Sequence, residues 1–296
     1  MRMGFILSCC SAADLPREVL DRRGIRFISF RYRLGDREYP DDLGRTVSYP
    51  DFYEAMIHGA ETHTSRLNAD EYEAYFEGFL KDGQDVLHLV LSSGITSSFE
   101  SAEEAVARLR PRYPERKLIV VDSLAASGGF GLLTLLAADR RDEGMGIEET
   151  AAWVEANKKR IHHWFFSTDL TFYIKGGRVG KVSGFMGRML NICPLLNVDF
   201  MGRLIPREKI RTKRKAIRVT AEHMERYAEN GADYSGKCII SHSYCPEDAK
   251  ALADLVTEMF PKLDGPVMIT DIGSTIGAHS GPGTVALFFV GSERVD

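Results

Sequence analysis

Three loops hold most of the residues that could do chemistry. Ser92-Ser93-Gly94-Ile95-Thr96-Ser97-Ser98 offers five hydroxyls in seven residues. Hydroxyls and unpaired backbone amides at a helix start suit an anion, because the N–H groups and the helix dipole both favour negative charge there. Helix capping alone accounts for such a run equally well. The other two loops are Asp122-Ser123, with Gly128 and Gly129 beyond it, and Gly277-Ala278-His279-Ser280-Gly281-Pro282-Gly283.

Measured against known catalytic patterns, these loops fall short. A dinucleotide site needs Gly-x-Gly-x-x-Gly, but Gly129-Phe130-Gly131 is followed by Leu132, Leu133 and Thr134. A phosphate-binding Walker loop needs Lys followed by Ser or Thr, and Lys181 precedes Val182. A serine hydrolase announces itself as Gly-x-Ser-x-Gly, whereas Gly277-Ala278-His279-Ser280-Gly281 puts His at the elbow and shifts the Ser by one. A lipid-ester hydrolase with Ser93 or Ser280 as nucleophile and His279 as base is therefore carried as the alternative to a binding protein. Cys238, His242 and Cys245 could offer a zinc ion three ligands, yet Cys238 and His242 fit a strand equally well and no Cys-x-x-Cys pair accompanies them. His162 and His163, beside Trp164, read as strand residues, and Cys9 and Cys10 as small buried ones. No metal or cofactor is expected.

The loops need strands and helices to hold them. Val86 to Leu91 and Leu118 to Val121 are apolar runs that pass through Ser, Gly or Asp into helix-period sequence, which is the βα rhythm of a parallel sheet. The rhythm returns late, where Cys238-Ile239-Ile240 leads through Pro246 into a helix with Ala249, Leu252, Val256, Met259 and Phe260 on one face. Val267 to Thr270 and Val285 to Val290 read as two more strands. A helix over Ile147 to Arg160 separates the halves, which predicts two α/β domains, residues 1–162 and 163–296. The first should be a Rossmann-like parallel sheet flanked by helices and the second a mixed sheet with helices, with ligands expected in the loops beyond the carboxyl ends of strands.

Net charge is −4 with a pI near 6.1, so there is no cationic excess to hold a nucleic-acid backbone. The five cysteines fit no small disulfide scaffold, which favours a reducing, cytoplasmic setting. Ile6-Leu7-Ser8-Cys9 looks superficially like a lipoprotein cleavage site, but the apolar run Met3 to Leu7 is shorter than the roughly 7 to 15 residues a signal segment needs. No segment approaches the roughly 18 apolar residues of a membrane-spanning helix.

Two compositional features remain. Phe166, Phe172, Phe185, Met186, Met189, Leu190, Ile192 and Leu196 concentrate flexible Met and flat Phe after the domain boundary; core packing explains any one of them more economically, but together they suit the wall of a tunnel for an alkyl chain. Arg207, Lys209, Arg211, Lys213, Arg214, Lys215 and Arg218 form a basic run that could dock an acidic partner or, transiently, an anionic membrane surface.

Taken in order, several short motifs resemble the DegV family of bacterial lipid-binding proteins from end to end. They are Ala13-Asp14-Leu15-Pro16, Thr64-Ser65, Ser92-Ser93-Gly94 with Ser101-Ala102, Asp122-Ser123, Gly176-Gly177-Arg178 and His279-Ser280-Gly281-Pro282-Gly283. The resemblance implies a long-chain fatty acid between the two domains and no catalysis by this chain. Its carboxylate would be held by Thr64 and Ser65, by Ser92 and Ser93, and by His279. It also implies presentation of the acid to a fatty acid kinase catalytic subunit that makes acyl phosphate, with Arg178 and Arg211 as docking residues. Two positions depart from the pattern. Cys10 stands where many relatives have Asp, and Thr96-Ser97-Ser98 where Ser-Gly-Thr is common.

Overall fold

The computed structural model describes residues 4–168, 170–179 and 192–295. The first half of the chain gives strands Ile6–Cys10 (β1), Ile25–Ile28 (β2), Arg31–Leu34 (β3), Arg37–Pro40 (β4), Thr62–Ser65 (β5), Val86–Val90 (β6) and Leu118–Asp122 (β7). The second half gives Ile161–Ser167 (β8), Ile192–Val198 (β9), Leu204–Arg211 (β10), Ile239–His242 (β11), Met268–Asp271 (β12) and Thr284–Val290 (β13).

β2, β1, β6 and β7 form a parallel sheet in that order. Every residue of β6 is buried, as a central strand covered on both faces requires. The helix Ala69–Lys81 is one of those flanking this sheet. It opens with a capping box between Asn68 and Glu71 and buries Tyr72, Phe76 and Leu80 at helical spacing. The second sheet runs β10-β9-β8-β13-β11-β12 and is antiparallel throughout except for the β11–β12 pair.

Between the two sheets lies the helix Ser127–Asp142, which buries residues all round its first turns rather than along one stripe. Its glycines permit this. A Cβ at Gly128 would sit 2.8 Å from the Phe288 ring and 2.9 Å from Ile239, and one at Gly129 would sit 2.3 Å from His163 Nε2. Gly131 presses likewise on the Ala13 carbonyl. These glycines serve close packing. One apolar cluster consequently runs through both halves, from Leu7, Leu89 and Phe130 to Phe165, Leu196 and Phe288. The division expected between residues 162 and 163 falls inside β8.

A third sheet, β4-β3-β5, is antiparallel and small. Sequence periodicity does not announce it, because its strands are short and polar. It matters because β5 carries Thr64.

Candidate functional site

Thr64 is held by strand alternation. Thr62 and Thr64 are half-buried while His63 and Ser65 face solvent. The partner of Thr64 comes from the helix Ser274–Ser280, whose Ala278 packs with Tyr32 and Phe52 beneath the small sheet. Two bonds fix that helix: Thr62 Oγ1 donates to the Ala278 carbonyl at 3.3 Å, and Tyr53 OH donates to the Ile272 carbonyl at 2.7 Å. His279 Nε2 then lies 2.7 Å from Thr64 Oγ1.

The other face of the His279 ring is seated on Gly176, where a Cβ would come within 2.4 Å of Nδ1. That clearance explains the first glycine of Gly176-Gly177-Arg178. Gly281, at φ +68°, similarly leaves room for the Phe172 ring, 2.2 Å from where its Cβ would be. Burial, reinforced by the charges of Arg178 and His63, pushes the His279 imidazole down to about 4, so it is neutral at pH 7. Its Nδ1 is buried and has no hydrogen-bond partner among the described residues.

His279 looks onto an apolar pocket with about 570 Å³ of empty space, counting its open mouth. Ile95 and Ala126 come from the first half; Phe165, Val198, Ala286 and Phe288 come from the second sheet. Arg178 is the only cation among the described lining residues, its Nη1 donating to the Gly176 carbonyl at 2.5 Å. His163 also lines the pocket. It is neutral, since burial drives its pKa far down, and it accepts the Ala126 N–H at 3.2 Å while Nδ1 donates to the Ile161 carbonyl.

The residues singled out in the sequence are thus only partly brought together. Arg178 and His279 both line the pocket, and Thr64 joins them through its bond to His279. Arg178 belongs to the pocket wall and not to the basic strand. Ser65 points to solvent. Ser92 is fully buried and already engaged, donating to the Gly202 carbonyl at 2.8 Å and accepting the Gly94 N–H at 3.1 Å. It clamps the first-sheet loop onto the β9–β10 turn. Ser92→Ala is expected to lower stability by about 1.5 kcal/mol in urea unfolding, because a buried carbonyl loses its donor. Ser93 is exposed, its amide donating to Asp122 Oδ1 at 3.1 Å.

Among the tunnel candidates, Phe172 is half-buried against Gly281, and Leu196 is buried on the same sheet face as Phe165. Phe166 is not part of the pocket wall. It points to the opposite face of the second sheet, into a separate core with Trp164, Leu195 and Leu287. Ile192 opens β9 opposite Arg211, away from the pocket lining. Phe185, Met186, Met189 and Leu190 lie outside the described residues. Arg211 is exposed at the end of the edge strand β10.

The corner holding Ala13-Asp14-Leu15-Pro16 ties the halves together. Asp14 accepts the Gly273 N–H at 2.9 Å and the Ser127 hydroxyl at 2.6 Å, and Asp41 accepts from Ser11 and from the Thr275 amide and hydroxyl. Burial raises both carboxyls above their ordinary range. Cys9 and Cys10 lie beside them, fully buried, and burial pushes the Cys10 thiol up to about 12, which leaves it no thiolate near neutrality.

A hydrolase would need its base oriented by a third group and facing a serine. His279 instead pairs with Thr64 and its Nδ1 has no orienting acceptor. The Ser280 hydroxyl donates to the Gly281 carbonyl at 3.4 Å.

Fold and site together define a two-part α/β protein with an apolar pocket at the junction of its sheets. The model of the DegV family, described as "Uncharacterised protein, DegV family", matches residues 10–292. A DegV domain-containing protein of Clostridium perfringens is 31% identical over 290 residues, covering 98% of each chain. Among solved structures, a DegV lipid-binding protein from Thermotoga maritima superposes with a TM-score of 0.86 at 26% identity, over 99% of this chain and 100% of that one. A DegV family protein from Thermus thermophilus, described for its fatty acid binding, gives 0.86 at 25% identity over 98% and 100%. The chain belongs to the DegV family.

Proposed function

We propose that this protein binds a long-chain fatty acid without transforming it, with the alkyl chain in the apolar pocket and the carboxylate at the Thr64–His279–Arg178 end. The observation that carries the reading is the pairing of a greasy cavity with a neutral Thr–His couple and a single guanidinium at one end of it. The lipid and fatty acid binding reported for the Thermotoga and Thermus relatives supports it.

The chemistry is consistent at each end. With its proton on Nε2, His279 donates to Thr64 Oγ1 and leaves the threonine hydroxyl hydrogen free to point at a carboxylate. Arg178 adds the charge that a desolvated carboxylate requires. Ser93, exposed and unpaired at its hydroxyl among the described residues, is the second head-group donor. Burying an alkyl chain contributes about 0.8 kcal/mol per methylene, so about fourteen methylenes give roughly 11 kcal/mol gross before ordering costs. The pocket, more than the polar end, sets the affinity.

In the fuller form of this reading, the protein acts in the cytoplasm and presents the bound acid to a fatty acid kinase catalytic subunit, with Arg211 on the exposed edge strand at the contact. No helix among the described residues is long and apolar enough to cross a membrane.

Protein purified and then denatured should release fatty acid detectable by mass spectrometry; consistently empty protein would sink the proposal. Thr64→Val keeps the side-chain volume but removes the hydroxyl, and should weaken palmitate binding about tenfold in calorimetric titration, the equivalent of about 1.4 kcal/mol. Unchanged affinity would dismiss Thr64 from the head-group site.

A further inference from the structure

On the face of the second sheet turned away from the apolar pocket lies a second cavity, with about 830 Å³ of empty space including its opening to solvent. Its floor is a set of four nearly parallel rings. His162 and Trp164 are two apart on β8, and His223 and Tyr227 are four apart on the helix Lys213–Tyr227, so each pair shares a face. Trp164 stacks on His223 with centroids 3.7 Å apart and planes at 5°; His162 lies on Tyr227 at 5.5 Å and 18°.

Arg207, Arg226 and Arg294 surround this floor. Arg207 Nε donates to Asn197 Oδ1 at 2.8 Å, which turns its guanidinium along the cavity wall. Arg226 sits over the Tyr227 ring at 5.2 Å. The two acids in the lining each have a partner, Glu208 within the cavity in His223 at 2.7 Å and Glu293 in Lys159 at 3.6 Å.

Two donors in the lining are left over. Trp164 is 4% exposed and Arg294 is 5% exposed, yet Trp164 Nε1 and Arg294 Nη1 have no hydrogen-bond partner among the described residues. The remaining nitrogens of Arg294 are used, Nη2 donating to the Leu124 carbonyl at 2.8 Å and Nε to the Lys159 carbonyl at 3.3 Å. Buried N–H groups without an acceptor are rare, because each forfeits its hydration without replacement. Both need the same thing, an acceptor oxygen.

We propose that this cavity is a second ligand site, separate from the fatty acid pocket, for a small planar aromatic molecule bearing an oxyanion. The oxyanion answers the arginines and the orphan indole N–H, and the flat ring packs along the aromatic floor, where base–aromatic contacts and cation–π contacts from Arg both favour it. The site does not depend on the fatty acid reading, since the sheet itself separates the two cavities.

The test is calorimetric titration of the full chain with adenosine monophosphate, with indole-3-acetate and with inorganic phosphate, each to about 1 mM, the scale at which weak specific sites saturate. Saturable binding of the nucleotide or the indole acid is expected, weakened tenfold or more by Trp164→Phe, which removes the indole N–H and shrinks the aromatic floor, and by Arg207→Gln. Circular dichroism of both variants checks that the fold is kept. Three results would overturn the proposal: no saturable binding of either aromatic probe, binding indifferent to both substitutions, or phosphate alone binding as tightly as the nucleotide. Displacement of palmitate by the aromatic probes would overturn the separateness of the sites.

Discussion

Ala286→Phe is expected to leave the chain folded and to weaken palmitate binding by about 100-fold. Ala286 lies in mid-strand on β13, opposite Phe165 on β8, and lines the apolar pocket between Phe165 and Phe288. A phenyl ring there takes the space of about four methylenes, and at about 0.8 kcal/mol each the loss is about 3 kcal/mol. Ala286 is buried in the apolar core as well as lining the pocket, so urea unfolding of the variant accompanies the titration and separates lost binding from overpacking. Octanoate, with its shorter chain, should bind the variant and the parent about equally, since the Thr64–His279 end is untouched. Equal palmitate affinity in the two proteins would mean that the alkyl chain lies elsewhere.

The second large effect concerns acid. His88 stands at the centre of the first sheet, paired with Ser8 on β1 and Val120 on β7, and is fully buried among Tyr72, Tyr75 and Phe76. Its Nδ1 meets Ser8 Oγ at 2.9 Å, and Nε2 has no partner among the described residues. Burial pushes its pKa from 6.5 down to about 3. The folded state therefore refuses a proton that the unfolded chain accepts below pH 6.5, so this residue's contribution to stability is intact above that pH and shrinks as pH falls. Between pH 7 and pH 5 the loss is about 2 kcal/mol. His88→Leu removes it: the stability of the parent relative to the variant should drop by that amount over the interval in urea unfolding. Asp14 and Asp41, whose carboxyls burial shifts the other way, are common to both proteins and cancel. A difference that stays constant from pH 7 to pH 5 would show that His88 does not carry this effect.

The parallel sheet and the late βαβ unit were readable from sequence because their signals are strong. Val86–Val90 is apolar without interruption, and the helix Pro246–Met259 buries Ala249, Leu252 and Val256 at the spacing its sequence announces. The pocket wall was less legible, for a physical reason. All seven residues of β8 are buried, because one face meets the helix Ser127–Asp142 and the other meets the helix Lys213–Tyr227. A strand covered on both faces has no alternation to reveal which parity faces a cavity, and so Phe166 was expected where Phe165 is found. The small sheet was missed because Thr62–Ser65 and Arg31–Leu34 gain their order from pairing and from the helix beneath, not from their own apolar content. His279 stood out in its own loop, but Thr64 as its neighbour in the site was reachable only through the family resemblance, since 215 positions separate them and no spacing rule links them. Gly176 could have been suspected as a point of close approach, but not that an imidazole is what approaches it.

The glycine-lined start of the helix Ser127–Asp142 is shared property of both sheets, with Gly131 against Ala13 on one side and Gly128 against Phe288 on the other. A protein built in this way has two architectural halves but no seam. Neither layer can drift, swap partners or melt by itself without exposing the wedge that the other one leans on, so selection on the pocket and selection on the first sheet act on one indivisible body.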